Sequence, residues 1–478
     1  MKFLTDEEVR MIDNTSVRIL SEIGISVNHD DSLDILEKNG CEVDRKTKMV
    51  KIPESLIRDA VDHSPSKFEM KSYDGKHDML MSSDGSVVNF GNLGIGTRVC
   101  HYDGQGNYDT RDATINDIAK IAKVIEGCEN INYTTQPVSA MDLMDGNVAR
   151  TLHEVEAMVT NTAKPYLLDP IPEYMDDYFL MMRACYGGDD EFARKNSCFM
   201  MGSCTSSPLQ LDTPFCEISK KSAEYGFPFM SMTMAMAGTT SPIDLAGTIA
   251  IHNAEALAGI TLTQLYNPGN KCLYGSCTTN FDFISNTAPF GSPENALISS
   301  CNAQLSQFYG IPCVNSGGIS DSKIPDFQSA AEATMNGLTP ALAGASNVFG
   351  VGMIELGMTF SMEQAVMMDD LIPLIRKVMA GVVVNEETLS FDRILEAGVG
   401  GDFIATPESM NKMFDVSHPK IFDRTMFDEW KGNGGCYTVD VAHEKVMDIL
   451  QNIQSPMEKN TVEEISKIVK EADRKIKQ

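Results

Sequence analysis

The sequence predicts an α/β protein built as a closed (β/α)8 TIM barrel, with an N-terminal helical cap and a C-terminal extension. Two observations carry that reading. Short apolar runs with strand character alternate down the chain with amphipathic segments of helical length. There are eight such pairs in a row, and parallel strands joined by helical crossovers lose their exposed edges when eight of them close. A doubly wound open sheet is the runner-up.

The strands are expected at 86–92, 132–138, 165–169, 198–204, 228–236, 272–277, 312–318 and 347–352. Helices are expected at 114–126, 145–161, 173–186, 211–225, 243–265, 293–309, 325–343 and 361–380. Three junctions read Thr213-Pro214, Ser241-Pro242 and Ser292-Pro293, where a hydroxyl can cap free amides and Pro suits the first helical position. Residues 1–85 form the cap segment, opening with helices at Thr5–Ile23 and Asp31–Asn39; residues 86–381 form the barrel; residues 382–478 form the extension, which ends in a charged helix.

The fifth strand raises its own question. In PFMSMTMAM, Met230, Met232, Met234 and Met236 alternate with Ser231, Thr233 and Ala235. A barrel strand is buried on both faces, so one row meets the helices and the other the interior. The small row is taken to point inward, which keeps room near the mouth. Thirty methionines serve either as soft core filler or as a flexible apolar lining.

Composition excludes several classes. The 478 residues carry 39 Lys and Arg against 67 Asp and Glu, a formal charge of -28 that repels nucleic-acid phosphates and anionic membranes. No run approaches the roughly 20 apolar residues of a membrane span, and no signal-peptide core opens the chain, so a cytoplasmic protein is expected. Twelve dispersed cysteines without CxxC read as reduced thiols.

Reactive groups of a parallel barrel sit beyond the strand ends. Those ends offer polar residues and thiols, among them Cys204 and Cys277, rather than an acid/base pair. Neither HExxH nor CxxC is present, so no metal site is expected. Gly91, Gly94 and Gly96 read as a glycine-rich turn rather than a phosphate cradle, because the spacing is not the dinucleotide fingerprint. Helical His153 and His252 read as core or surface residues. Aromatic rings near the strand ends can hold a quaternary ammonium by cation-π attraction. The substrate set is Phe90, Tyr102, Gln136, Tyr274, Phe281, Phe349 and Glu355.

Longer stretches point further. MAGTTSPIDLAGTIAIHNAEALAGITLTQLYNPGNKCLYG (236–275), GSPENALISSCNAQLSQFYGIP (291–312), SDSKIPDFQSAAE (320–332), LAGASNVFGVGMIELGMTFSMEQAVMMDD (342–370) and GGDFIATPESM (400–410) resemble the trimethylamine methyltransferase superfamily of corrinoid-dependent methyltransferases. The resemblance covers nearly the whole chain. It implies a barrel whose mouth receives a corrinoid (cobalamin) on a separate protein, and a quaternary amine such as glycine betaine, proline betaine or carnitine as methyl donor. Founding members carry pyrrolysine; none is written here, and 313–323, where it is sought, holds ordinary residues.

With a quaternary amine the leaving group is neutral, so neither proton nor metal is required. No histidine sits in the DxHxxG pattern of cobalamin-binding proteins, so the cofactor is expected on the partner, approaching Ser231, Thr233, Asn280, Ser316 and Asp321. For a betaine carboxylate the candidates are Arg98, His252, Gln136 and Asn280. A symmetric homo-oligomer is the expected assembly. A zinc-dependent thiol or alcohol methyltransferase and a non-catalytic betaine-binding barrel are the competing readings.

Overall fold

The computed structural model describes residues 1–94, 96–404 and 406–477. Its core is a ring of eight parallel strands: β1 (Asn89–Gly91), β2 (Thr134–Thr135), β3 (Tyr166–Leu168), β4 (Phe199–Cys204), β5 (Phe229–Thr233), β6 (Cys272–Ser276), β7 (Cys313–Ser316) and β8 (Asn347–Phe349). Successive strands pair in parallel from β2 to β8, β8 pairs with β1, and a parallel bridge from Gly91 to Tyr133 closes the seam between β1 and β2. Each expected strand is present, shortened at its ends.

The crossover helices are α1 (Ile115–Gly127), α2 (Arg150–Val159), α3 (Met175–Cys185), α4 (Thr213–Tyr225), α5 (Leu245–Tyr266), α6 (Pro293–Tyr309), α7 (Phe327–Ala343) and α8 (Met362–Ala380). Of the three hydroxyl-proline junctions, Ser292 caps α6 as expected, accepting from the Asn295 amide. At α4 the cap is Asp212, one residue earlier, because its carboxylate reaches the Phe215 amide. At α5 the helix starts at Leu245, and Ser241 is instead hydrogen-bonded to Thr248 at 2.9 Å.

The N-terminal segment is not purely helical. Thr5 forms a capping box for helix Asp6–Arg18, and helices Asp30–Lys38 and Glu54–His63 follow. Short strands lie among them, and the hairpin Lys67–Met70 with Met79–Ser82 sits at the floor of the barrel, where Asn89 Nδ2 donates to Leu80 O at 2.8 Å. Asp13 locks this segment to the barrel: it accepts two hydrogen bonds from Arg58 at 2.7 Å and one from the Tyr309 hydroxyl of α6 at 2.7 Å.

At the opposite end, the hairpin Arg98–Tyr102 with Tyr108–Asp112 joins Thr359–Ser361 and Met353–Ile354 in a four-stranded sheet beside β1 and β8. In the extension, helix Thr438–Asn452 packs on α1 and α8 and helix Lys459–Ile476 on α2 and α3. No helix among the described residues is long and apolar enough to cross a membrane.

The glycines of 91–96 serve close approach. A Cβ on Gly91 would lie 2.5 Å from the Tyr133 ring, and one on Gly94 would lie 1.9 Å from Gln136 O. Gly259 does the same for α5, where a Cβ would fall 2.2 Å from Ser231 Oγ and 2.5 Å from Phe215 Cζ. Gly259→Ala is therefore expected to cost about 1–3 kcal/mol by overpacking, read as a lower chemical-denaturation midpoint. Gly432→Ala, with nothing within 4 Å of the added carbon, stays within about 0.5 kcal/mol. Equal midpoints would show that α5 does not depend on this contact.

Candidate functional site

The C-terminal ends of β1 to β6 and the start of α2 enclose a cavity of about 370 Å³. Its wall is rich in sulfur: Met230, Met232 and Met234 from the fifth strand and its continuation, Cys204 from β4, and Cys277 beyond β6. The Cys277 thiol donates to Met232 Sδ at 3.3 Å. Burial pushes the Cys277 thiol up to about 12 and the Cys204 thiol well above its ordinary value, so both are protonated at neutral pH. No aromatic ring is among the described residues that line the cavity.

This reverses the expected orientation of β5. Ser231 Oγ donates to Ala256 O of α5 at 3.0 Å, so the small row, Thr233 included, meets the helices. The reason is steric: α5 comes so close at Gly259 that only a small side chain fits between. On the inner face the neighbours are small instead. A Cβ on Gly202 would lie 2.8 Å from Met230 Cε, and one on Gly275 would lie 2.6 Å from Met230 Cγ. Burial alternates accordingly: Ser231, Thr233 and Ala235 are buried, whereas Met232 and Met234 are partly open to the cavity.

Three charged side chains reach this wall. Glu154 of α2 is fully buried; its Oε1 accepts from the Ala140 amide at 2.6 Å and from Arg150 at 2.8 Å, while its Oε2 has no partner. Burial raises its pKa. Asp169, just past β3, shows its carboxylate to the open cavity, and no hydrogen bond or ion pair engages it among the described residues. Water reaches it, yet the protein crowded around the cavity replaces much of its hydration and raises its pKa to about 6. Thr135 Oγ1 is also buried here without a partner.

Of the residues expected at the substrate, Gln136 lines the cavity. Phe90 is buried outward, under the Arg376 guanidinium at 5.8 Å from its ring centroid. Tyr274 also faces out, its hydroxyl donating to Asn253 of α5 at 2.9 Å. Phe349 is fully buried in β8. Tyr102 lies in the hairpin, 4.9 Å from Tyr108 and 5.5 Å from His443 between ring centroids, with its hydroxyl on Asp440. It borders a separate cavity of about 550 Å³ between the hairpin, α7 and α8. Phe281 packs edge-on against Phe283 at 5.1 Å in the loop after β6. Glu355 pairs with Arg98 at 3.3 Å and with the Thr359 hydroxyl.

The residues expected at the corrinoid divide in two. Ser231, Thr233 and Ser316 serve helix packing; Ser316 is held by Asn295 at 2.8 Å and by Ser299 of α6. Asn280 accepts from Ser292 at 2.8 Å, and Asp321 accepts from the Phe290 and Gly291 amides at 3.0 and 2.9 Å, so both brace the turn before α6. His252 hydrogen-bonds Thr278 at 2.8 Å, and burial lowers its pKa to about 3, so it is neutral. His153 faces Asp473 of the C-terminal helix at 3.0 Å. Among the described residues no three Cys, His, Asp or Glu side chains converge as metal ligands.

Asp169, Glu154 and Arg150 are the site residues that the strand-end argument passed over. One signal was present: Asp169 closes the run PYLLD, a carboxylate at the C-terminal end of a barrel strand. Around the mouth, Ile243, Phe283, Ile284 and Phe327 stand exposed on the loops and helix starts.

The family profile described as trimethylamine methyltransferase (MTTB) matches residues 1–476. A trimethylamine methyltransferase of Methanosarcina mazei, MttB2, is 43% identical over 480 residues, spanning 100% of this chain and 96% of its own. The glycine betaine methyltransferase of Desulfitobacterium hafniense is 29% identical, spanning 95% and 93%. Among solved structures, the monomethylamine methyltransferase of Methanosarcina barkeri superimposes with a TM-score of 0.53 at 12% identity, covering 100% of this chain and 88% of that one, a likeness of fold. The chain belongs to the trimethylamine methyltransferase (MTTB) family.

Proposed function

We propose that this protein transfers an N-methyl group from a quaternary ammonium compound to Co(I) of a corrinoid carried by a separate protein in the cytoplasm. The observation that carries the reading is a methionine-walled cavity, open at the C-terminal mouth, that presents an unpaired carboxylate. A quaternary nitrogen spreads its positive charge over its methyl groups, so an anionic site with soft, polarizable walls suits it.

The reaction balances without a proton. The N–CH3 bond breaks with its electron pair left on nitrogen, giving a neutral tertiary amine, while the electron pair of Co(I) forms the bond to the methyl carbon. The protein's part is to hold the cation in line and exclude water. Ile243, Phe283, Ile284 and Phe327 form an apolar rim suited to the corrinoid partner.

The reading departs from relatives named for trimethylamine in one respect: the segment after β7 holds ordinary residues where pyrrolysine is sought. Ser320 there donates to Glu332 at 2.7 Å, and Asp321 ties the segment to α6. A zinc-dependent reaction on a thiol or alcohol would call on three or four converging ligands, and Cys204 and Cys277 are the two thiols at this cavity. A non-catalytic binding barrel would bind the cation without methylating cobalt.

Assembly follows from the extension. Residues 382–416 expose Val382, Phe391, Leu395, Val399, Ile404 and Phe414, each more than two-thirds open to solvent. Large apolar side chains left open to water in such number mark a surface suited to an interface. Large enzymes are commonly symmetric homo-oligomers, so a second copy of the chain, meeting through these uncharged side chains, is the proposed cover.

Mixing the protein with Co(I) corrinoid protein and quaternary amines is expected to convert the visible spectrum to that of the methylated form; an unchanged spectrum with every amine would sink the methyl-transfer reading. Met232→Trp fills the cavity and should lower kcat/KM at least about a hundredfold. Thr233→Val, on the helix-facing row, should stay within about threefold. The opposite ranking would move the site away from the methionines. Sedimentation velocity should give an oligomer for the natural chain and a folded monomer for Phe391→Asp with Leu395→Asp; a monomeric natural chain contradicts the assembly.

A further inference from the structure

We infer that Asp169, backed by Glu154, selects a compact methylated cation that carries no carboxylate, of the tetramethylammonium type, and discriminates against betaines. The inference deepens the methyl-transfer reading and rests on it for turnover, though not for binding.

The charge balance of the cavity is the first argument. Arg150 is the cation on its wall, and Glu154 Oε1 already engages it at 2.8 Å. Asp169 is left over, without a salt bridge or hydrogen bond among the described residues. A cation entering here gains the attraction of that carboxylate. A zwitterion brings its own carboxylate into the same small space, where it meets Asp169 and finds Arg150 occupied. The other cation proposed for a betaine carboxylate, Arg98, is engaged by Glu355 in the hairpin, and His252 is buried on α5.

A second, independent observation points to a ligand. Glu154 Oε2 and Thr135 Oγ1 are buried acceptors on the cavity wall with no partner. Buried polar atoms are ordinarily satisfied. The hydrogens of N-methyl groups next to a positive nitrogen are polarised and make weak C–H···O contacts with such oxygens. Met230, Met232 and Met234 supply soft, polarizable wall beside these oxygens, and about 370 Å³ is near the small end of ligand cavities, which suits a small cation.

The ionisation of Asp169 gives a signature. Its pKa of about 6 lies above its ordinary value, so it is charged above pH 6 and neutral below. Cys204 and Cys277 share the cavity with it, and Tyr166 and Tyr178 lie buried outside the lining within reach of its charge; the pKa values of all four are raised, so they are neutral at and below neutral pH. Among the described residues that line the cavity, Arg150 and Glu154 form the one charged pair. Cation affinity therefore falls as pH drops through about 6.

Calorimetric titration of the full chain with tetramethylammonium chloride, choline chloride and glycine betaine, without corrinoid, tests this. At pH 7.5 tetramethylammonium or choline should bind at least about tenfold tighter than glycine betaine, and this preference should shrink at pH 5. Asp169→Asn should weaken tetramethylammonium at least about tenfold and remove the pH dependence. Tighter binding of glycine betaine, no binding of either simple cation, or an unchanged ratio in Asp169→Asn overturns the inference. The natural chain's ratio and pH series decide the matter should the variant fail to fold. Binding of the simple cations without methylation of Co(I) would remove the methyl-transfer reading and leave this inference standing; preferential methyl transfer from betaine would do the reverse.

Discussion

The chemistry of this protein depends on one close contact, that of Ser231 with α5 at Gly259. Both faces of a barrel strand are buried, so hydrophobicity alone does not choose which row turns inward. The helix chooses, because at Gly259 it leaves space for a hydroxymethyl group and nothing larger, and Ser231 fills it with a hydrogen bond to Ala256 O. With a side-chain period of two, that choice sends Met230, Met232 and Met234 to the interior together. Gly202 and Gly275 on the flanking strands then provide the room that the methionines need.

The rest of the fold leaves that interior open at one end only. The hairpin Lys67–Met70 with Met79–Ser82 lies at the floor, and Asp13 ties the N-terminal helices to α6 through Arg58 and Tyr309. The sheet over β1 and β8 stands beside the mouth, and the last two helices clamp α1, α2, α3 and α8 from outside. What remains accessible is a cavity with thioether walls, a neutralised Arg150–Glu154 pair and an unpaired Asp169. In a chain of formal charge -28, this local excess of negative charge lies in a field that already favours cations.

Much of the architecture was legible in the sequence because its signals are local. Alternating apolar runs mark all eight strands, and Thr5 and Ser292 mark helix starts, whereas Gly91 and Gly94, expected in a turn, serve close approach, Gly91 from within β1 itself. The inward face of β5 was not legible, since it is decided by Gly259, 28 residues away. Strand position alone does not say which way an aromatic ring points. Phe90 and Tyr274 do lie on barrel strands, but the same period of two points them at α5 and α8. Asp169 ended a recognised strand, and its value became visible only once Cys204, Cys277 and the methionines closed around it. Glu154 and Arg150 come from a helix start, a place that a search of strand ends does not reach.

The proposed cation site lies among the methionines at the barrel mouth rather than in the aromatic cavity beside Tyr102. Tetramethylarsonium has the shape and charge of tetramethylammonium and an arsenic atom that scatters anomalously. A crystal structure with this ion, measured at the arsenic edge, is predicted to show one strong peak between Met232 and Asp169. A peak beside Tyr102 and Tyr108, with none between Met232 and Asp169, would contradict it.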